Sequence, residues 1–128
     1  MRARGNHQAC RLFFHLTWHT YHNEPTICAR AVSIVTESMR RAAGRTRSIV
    51  LAQGVLSDHI HILIRCAPDA TVSAFVREAK SESSRRVGKT LQWQRGYFAD
   101  SISCSHVIRV RRYIASQFTR HPDKIPPG

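Results

Sequence analysis

"SDHIHILIRC", Ser57 to Cys66, places two histidines on either side of one isoleucine in an otherwise apolar run. Side chains alternate faces along a strand, so Ile60, Ile62 and Ile64 point into a core while His59 and His61 share the opposite face. The stretch therefore reads as a buried strand with a pair of adjacent imidazoles. The link before it, Leu56-Ser57-Asp58, is short, which makes the preceding strand "RSIVLAQGVL" an antiparallel neighbour.

Toward the N-terminus, Cys10 to Thr20, "CRLFFHLTWHT", alternates as a first strand with Leu12, Phe14, Leu16 and Trp18 on one face and His15 and His19 on the other. "NEPTICARAVSIVTESMRRAAGR" predicts a helix that starts near Pro25, buries Ile27, Ala31, Ile34 and Val35, and stops at Gly44. Beyond the histidine strand, Pro68 and Asp69 break the pattern. "TVSAFVREAKSESSRRV" then follows helical period, with Val72, Phe75, Val76 and Ala79 inward and Arg77, Lys80, Ser84 and Arg85 outward. After a looser piece, "YFADSIS" predicts a short strand and "SHVIRVRRYIASQF" a last helix. This order predicts an α+β fold: a ferredoxin-like βαββαβ sandwich on an antiparallel sheet, with an added C-terminal helix. Residues 1–128 form one domain on this reading, and the proline-rich end, 119–128, an irregular tail.

Twenty Lys and Arg against eight Asp and Glu give a formal charge of +12, spread through the body of the chain. Such a surplus is the footprint of a polyanion-binding protein, and nucleic acid is the first candidate. The four cysteines form no CxxC pair, which argues against a zinc site and for reduced thiols. The basic start "MRARGNHQAC" lacks the apolar stretch of a signal peptide, and no run is long enough to span a membrane. A soluble, cytoplasmic protein with no membrane partner is expected.

On the last helix, Val107, Val110, Ile114 and Phe118 have the spacing of a core stripe. Arg109, Tyr113 and Gln117 each precede a member of that stripe and form an i, i+4, i+8 row on its shoulder. Two neighbouring imidazoles and one amide oxygen are a ligand set for a divalent ion with open positions, able to polarise a phosphate oxygen. A tyrosine beside it suits nucleophilic attack, provided a positive charge favours the phenolate. A phosphotyrosine conserves the energy of the broken phosphodiester and allows rejoining without ATP, in keeping with the lack of a Walker-type glycine loop. Trp93 and Tyr97 are candidates for stacking on unpaired bases, with core filling the competing role for Trp93.

"DHIHILI" followed by "YIASQ" resembles the HUH motif and nucleophile helix of the single-tyrosine HUH transposases of small bacterial insertion sequences, including the REP-associated tyrosine transposases. The likeness runs from "LFFHLTWHT" through "VREAKSESSRRV" and "WQRGYFADSIS" to "RRYIASQ". It implies a dimeric, Mg²⁺- or Mn²⁺-dependent enzyme that nicks single-stranded DNA at hairpin-forming element ends. By motif match His59, His61 and Gln117 become metal ligands, and Tyr113 the nucleophile that forms a 5′-phosphotyrosine and releases a 3′-hydroxyl. The resemblance also suggests composite sites, with His59 and His61 from one chain and Tyr113 and Gln117 from the other. Arg77, Lys80, Arg85, Arg109 and Arg112 are the candidate DNA contacts. Two other readings stay open: a catalytically idle or domesticated single-stranded nucleic-acid-binding protein, or a metal-dependent nuclease that needs the histidines but not Tyr113.

Overall fold

The structure, a computed structural model, describes residues 12–128. Strand β1 (Leu12–His19) leads to helix α1 (Ala29–Arg45), strands β2 (Ser48–Val55) and β3 (His59–Cys66), helix α2 (Val72–Val87), strand β4 (Phe98–Ile102) and helix α3 (Val107–Ala115). A single turn, α4 (Gln117–Arg120), comes next, and 3₁₀ turns lie at Tyr21–Asn23, Cys104–His106 and Pro122–Lys124. The sheet order is β2-β3-β1-β4, with every neighbouring pair antiparallel. This is the predicted ferredoxin-like plan with its C-terminal helix.

Alternation along β1 and β3 divides the molecule into two layers. Leu16, Trp18, Ile60, Ile62 and Ile64 meet Val35, Met39, Phe75, Val76 and Ala79 of α1 and α2 in the core on one face. Cross-strand partners share a face, so the register His19↔His59, Thr17↔His61 and His15↔Leu63 puts His15, Thr17 and His19 beside the histidine pair on the other. Helix α3 covers that second face, which leaves β3 buried along nearly its whole length.

Between α1 and α2, the buried carboxylate of Glu82 accepts ion pairs from Arg41 and Arg45, while Arg86 reaches Glu37. Burial alone would raise the Glu82 carboxyl, but the hydrogen bond and charge of Arg45, with Arg41 behind it, hold it below the usual carboxylate range. Trp93 settles as a packing residue: it stands edge-on to Trp18 and donates its indole N–H to Ser83 Oγ at 2.9 Å.

Several boundaries differ from the sequence expectation. Cys10, in the predicted first strand, lies outside the described residues. Helix α1 starts at Ala29 instead of near Pro25, because the chain before it runs over the β2–β3 turn, where Ile27 N–H donates to the Ser57 carbonyl at 3.0 Å. Gly44 does not end α1; it lies within the last turn, and the chain leaves the helix at Thr46. The last helix breaks at Ser116, whose hydroxyl donates back to the Tyr113 carbonyl at 2.8 Å. The break redirects the side chains on either side of it. Phe118 becomes exposed, Val107 and Val110 are half-buried, and Gln117, expected on the shoulder, is 1% exposed.

Candidate active site

Each ring of the histidine pair is held through its Nδ1. His59 Nδ1 lies 2.6 Å from Asp58 Oδ1, and the other Asp58 oxygen accepts from Lys124 Nζ at 2.8 Å. His61 Nδ1 lies 3.1 Å from both His15 Nε2 and Thr17 Oγ1. With Nδ1 as the hydrogen-bonded nitrogen, Nε2 is the position left for ligation in both rings. Burial, and then the charges of His59 and His15, push His61 down to about 3, so it is a neutral imidazole at physiological pH. Burial also lowers His15 against the pull of Asp100, and lowers His19 beside His59. The Asp58 carboxyl is raised by burial, yet the bonds from Lys124 and His59 more than offset this and keep it below its ordinary value.

Helix α3 brings Tyr113 over this face within the same chain. Its ring centroid is 5.7 Å from that of His61 and 5.8 Å from that of His15, both edge-on. The Arg120 guanidinium sits 4.9 Å from the Tyr113 ring centroid and is braced by a 2.9 Å bond from its Nε to Ser116 Oγ. The helix can lie this close because of Gly54. A Cβ there would stand 3.1 Å from the Ile114 carbonyl oxygen and 3.3 Å from Ile114 Cγ2. Gln117 donates its Nε2 to the Tyr113 carbonyl at 2.9 Å, and its Oε1 is buried with no hydrogen-bond partner.

That orphaned oxygen is the test of whether the residues fit a metal ion. A buried amide oxygen without a partner is costly unless something accepts its lone pairs. Among the described residues no group of three His, Cys, Asp or Glu side chains is arranged to hold a metal. An ion at His59 and His61 would therefore draw any third protein ligand from another residue type, and the unpartnered Gln117 Oε1 is a buried oxygen of the right chemistry. The residues fit a divalent cation.

A groove of about 890 Å³ opens beside Tyr113, lined by His15, Arg109, Arg112, Ser116 and Arg120 among others. Arg109 and Arg112 are thus brought to the tyrosine. Arg77 and Arg85 are exposed on α2, in the layer behind the sheet. Lys80 is committed elsewhere: its ammonium donates to the Gln94 and Gly96 carbonyls at 2.8 Å each, fixing the loop before β4. Sequence reasoning missed Thr17, Asp58, Gly54, Arg120 and Lys124. Thr17 shares the parity of His15 and His19, and a glycine inside a strand signals close backbone approach. The pairing of Lys124 with Asp58 has no local signal.

Within this chain Tyr113 lies beside His61, and Gln117 bonds to the Tyr113 carbonyl.

Residues 8–117 match the model of the family "Transposase IS200 like". The ISDra2 transposase TnpA of Deinococcus radiodurans is 23% identical over 126 residues, covering 89% of either chain. A crystal structure of a transposase-like protein from Deinococcus radiodurans R1 superposes with a TM-score of 0.65 at 21% identity, over 84% of this chain and 91% of that one. The REP-associated tyrosine transposase bound to a REP hairpin gives a TM-score of 0.71 at 16% identity, over 88% of this chain and 69% of that one. At these identities the structural likeness establishes the fold.

Proposed function

Because the chain belongs to the IS200-like transposase family, we propose that it cleaves and rejoins single-stranded DNA at hairpin-forming element ends through a covalent bond to Tyr113. The observation that carries this reading is the placement of Tyr113 against His61 beside the buried, partnerless oxygen of Gln117. An idle DNA-binding domain has no use for such a set.

His59, His61 and Gln117 would hold the ion, Mg²⁺ or Mn²⁺. When bound, it supplies Lewis-acid polarisation of a phosphate oxygen. The chain's own residues do the rest. Arg109 and Arg112 draw the strand into the groove, and Arg120 keeps a fixed positive charge beside the Tyr113 ring. The Tyr113 oxygen attacks phosphorus, the bond from phosphorus to the 3′ oxygen breaks, the phenolic proton leaves to solvent, and the departing oxygen is protonated as a 3′-hydroxyl. The product is a 5′-phosphotyrosine that a second 3′-hydroxyl can reverse.

Arg77 and Arg85, on the far layer, serve the distal part of a folded hairpin rather than the scissile strand. Residues 1–128 act as one HUH domain in the cytoplasm, where the element's DNA lies. No described helix is long and apolar enough to cross a membrane. A homodimer on this reading pairs two self-contained sites.

The test is adduct formation with single-stranded DNA carrying the element's own ends and Mg²⁺ or Mn²⁺. Tyr113→Phe removes only the nucleophilic oxygen and should abolish the adduct while binding persists. An adduct that survives in this variant removes Tyr113 from the reaction, and DNA hydrolysis without adduct in the parent would favour the nuclease.

A further inference from the structure

We propose that the C-terminal segment of this chain is a working part of the candidate metal centre, with Lys124 acting through Asp58 as a positioning residue for His59. This rests on the reading of His59 as a ligand.

Asp58 is 6% exposed, and each of its two oxygens has a charge-bearing or ring N–H partner: Oδ1 with His59 Nδ1 at 2.6 Å, Oδ2 with Lys124 Nζ at 2.8 Å. Its backbone is fixed as well. The Asp58 carbonyl accepts from Thr20 N–H at 2.9 Å and from Thr20 Oγ1 at 3.1 Å. A carboxylate pinned this way has one orientation, and that orientation keeps a proton on His59 Nδ1. The Nε2 lone pair is then the one presented to the sheet face.

Lys124 reaches Asp58 because the tail is docked. After Gln117, whose carbonyl accepts from His121 N–H at 2.8 Å, the chain turns through Pro122–Lys124, and the Lys124 carbonyl accepts from Ser57 N–H at 2.8 Å. Farther on, Pro126 is buried and the Pro127 carbonyl accepts from Ala29 N–H at 2.7 Å. The segment that carries Tyr113 and Gln117 thus ends by gripping the residue that orients His59. Without the ammonium, a buried carboxylate oxygen loses its partner and the carboxylate its fixed orientation.

The experiment compares the parent chain, residues 1–128, with Lys124→Met, Lys124→Arg and Asp58→Asn. The first readout, taken without metal, is the tautomer of His59 from imidazole ¹⁵N shifts. The parent and Lys124→Arg should show the Nδ1–H form alone, and Lys124→Met a mixture. The second is Mn²⁺ affinity by electron paramagnetic resonance. Lys124→Met should weaken it about tenfold, the lower end for a group behind a ligand, Asp58→Asn should weaken it more, and Lys124→Arg should restore it. A salt bridge that merely staples the tail would lower the melting temperature in Lys124→Met while leaving tautomer and Mn²⁺ affinity at parental values, and that result overturns the proposal. If Lys124→Met fails to fold, Lys124→Arg against Asp58→Asn decides by the same two readouts. Absence of Mn²⁺ binding in the parent would remove the metal reading, and the metal-free tautomer comparison would still accept or reject the clamp.

Discussion

The rings of Tyr113 and His61 stand at 89° to one another with centroids 5.7 Å apart, both contributed by one chain. His15 closes the triangle, 5.3 Å from His61 and 5.8 Å from Tyr113. If Tyr113 is the nucleophile proposed above, this geometry offers it a site within its own chain.

Subunit mixing tests this. A His59→Ala/His61→Ala chain and a Tyr113→Phe chain, each inactive alone, should remain inactive after exchange into heterodimers, since every site keeps one lesion. Adduct on the histidine-mutant chain would show that α3 reaches across to a partner.

Gln117→Leu separates function from stability. The partnerless Oε1 is a liability of roughly 1–3 kcal/mol in the absence of a ligand. Replacing the amide by a hydrocarbon of similar volume should therefore leave the metal-free melting temperature unchanged or raised. Cleavage should fall at least about tenfold through lost ion affinity, partly recovered at higher Mn²⁺. A strongly destabilised Gln117→Leu, or one that cleaves like the parent, would mean that the oxygen serves the fold.

Acid should weaken the folded state at the histidine face. His61 is held at about 3 in the fold, whereas an unfolded histidine titrates near ~6.5. Below that value the unfolded chain binds the proton that the folded one refuses, so stability declines as pH falls from ~6.5 toward 3 and is untouched by this group above it. His15 and His19, also lowered, add to the same slope. Thermal melts between pH 7.5 and 4.5 should show the decline, less steep in His61→Asn. Equal slopes in the two proteins would contradict the burial argument.

Gly54→Ala probes how Tyr113, the proposed nucleophile, is seated. The new methyl meets the Ile114 carbonyl at 3.1 Å, so α3 must give by a few tenths of an ångström. The expected cost is ~1 kcal/mol in stability, at the mild end for an overpacked contact. Single-turnover cleavage should suffer while DNA affinity holds. Unchanged cleavage would show that α3 tolerates displacement.

Arginine pairs on the two layers should differ. Arg109→Ala/Arg112→Ala should weaken binding to any single strand and lower the salt slope by about one for each phosphate no longer neutralised. Arg77→Ala/Arg85→Ala should weaken binding only to a substrate with a folded hairpin. If both pairs affect a short unstructured strand alike, the DNA path differs from the groove beside Tyr113.

Much of this is legible in the chain itself. Alternation in "HIHILI" separates the two faces of β3, and parity on β1 puts His15 and His19 where they are found. The order of elements leads to the sheet plan, and the i, i+4 spacing of Tyr113 and Gln117 leads to their proximity. Periodicity fails at Ser116. It assumes a continuous helix, and a serine that bonds back to its own preceding turn ends one without any change in apolar spacing. For that reason periodicity places Gln117 on a shoulder and Phe118 in the core, where the structure reverses them. The Asp58–Lys124 pair is out of reach for another reason: nothing local couples residues so far apart in the chain.

The ion pairs behind the sheet carry a consequence for encounter with DNA. Glu37, Glu78 and Glu82 are spent on Arg41, Arg45 and Arg86 of the helix layer, and Asp69 on Arg47, whereas Arg109, Arg111, Arg112 and Arg120 form no ion pair among the described residues. Arg30, Arg40, Arg77 and Arg85 of the helix layer are likewise exposed and without an ion pair among the described residues, so unneutralised positive charge faces solvent on both layers. A polyanion arriving by diffusion is attracted by this charge before any contact forms, so ionic strength should govern the rate of association more than the rate of release.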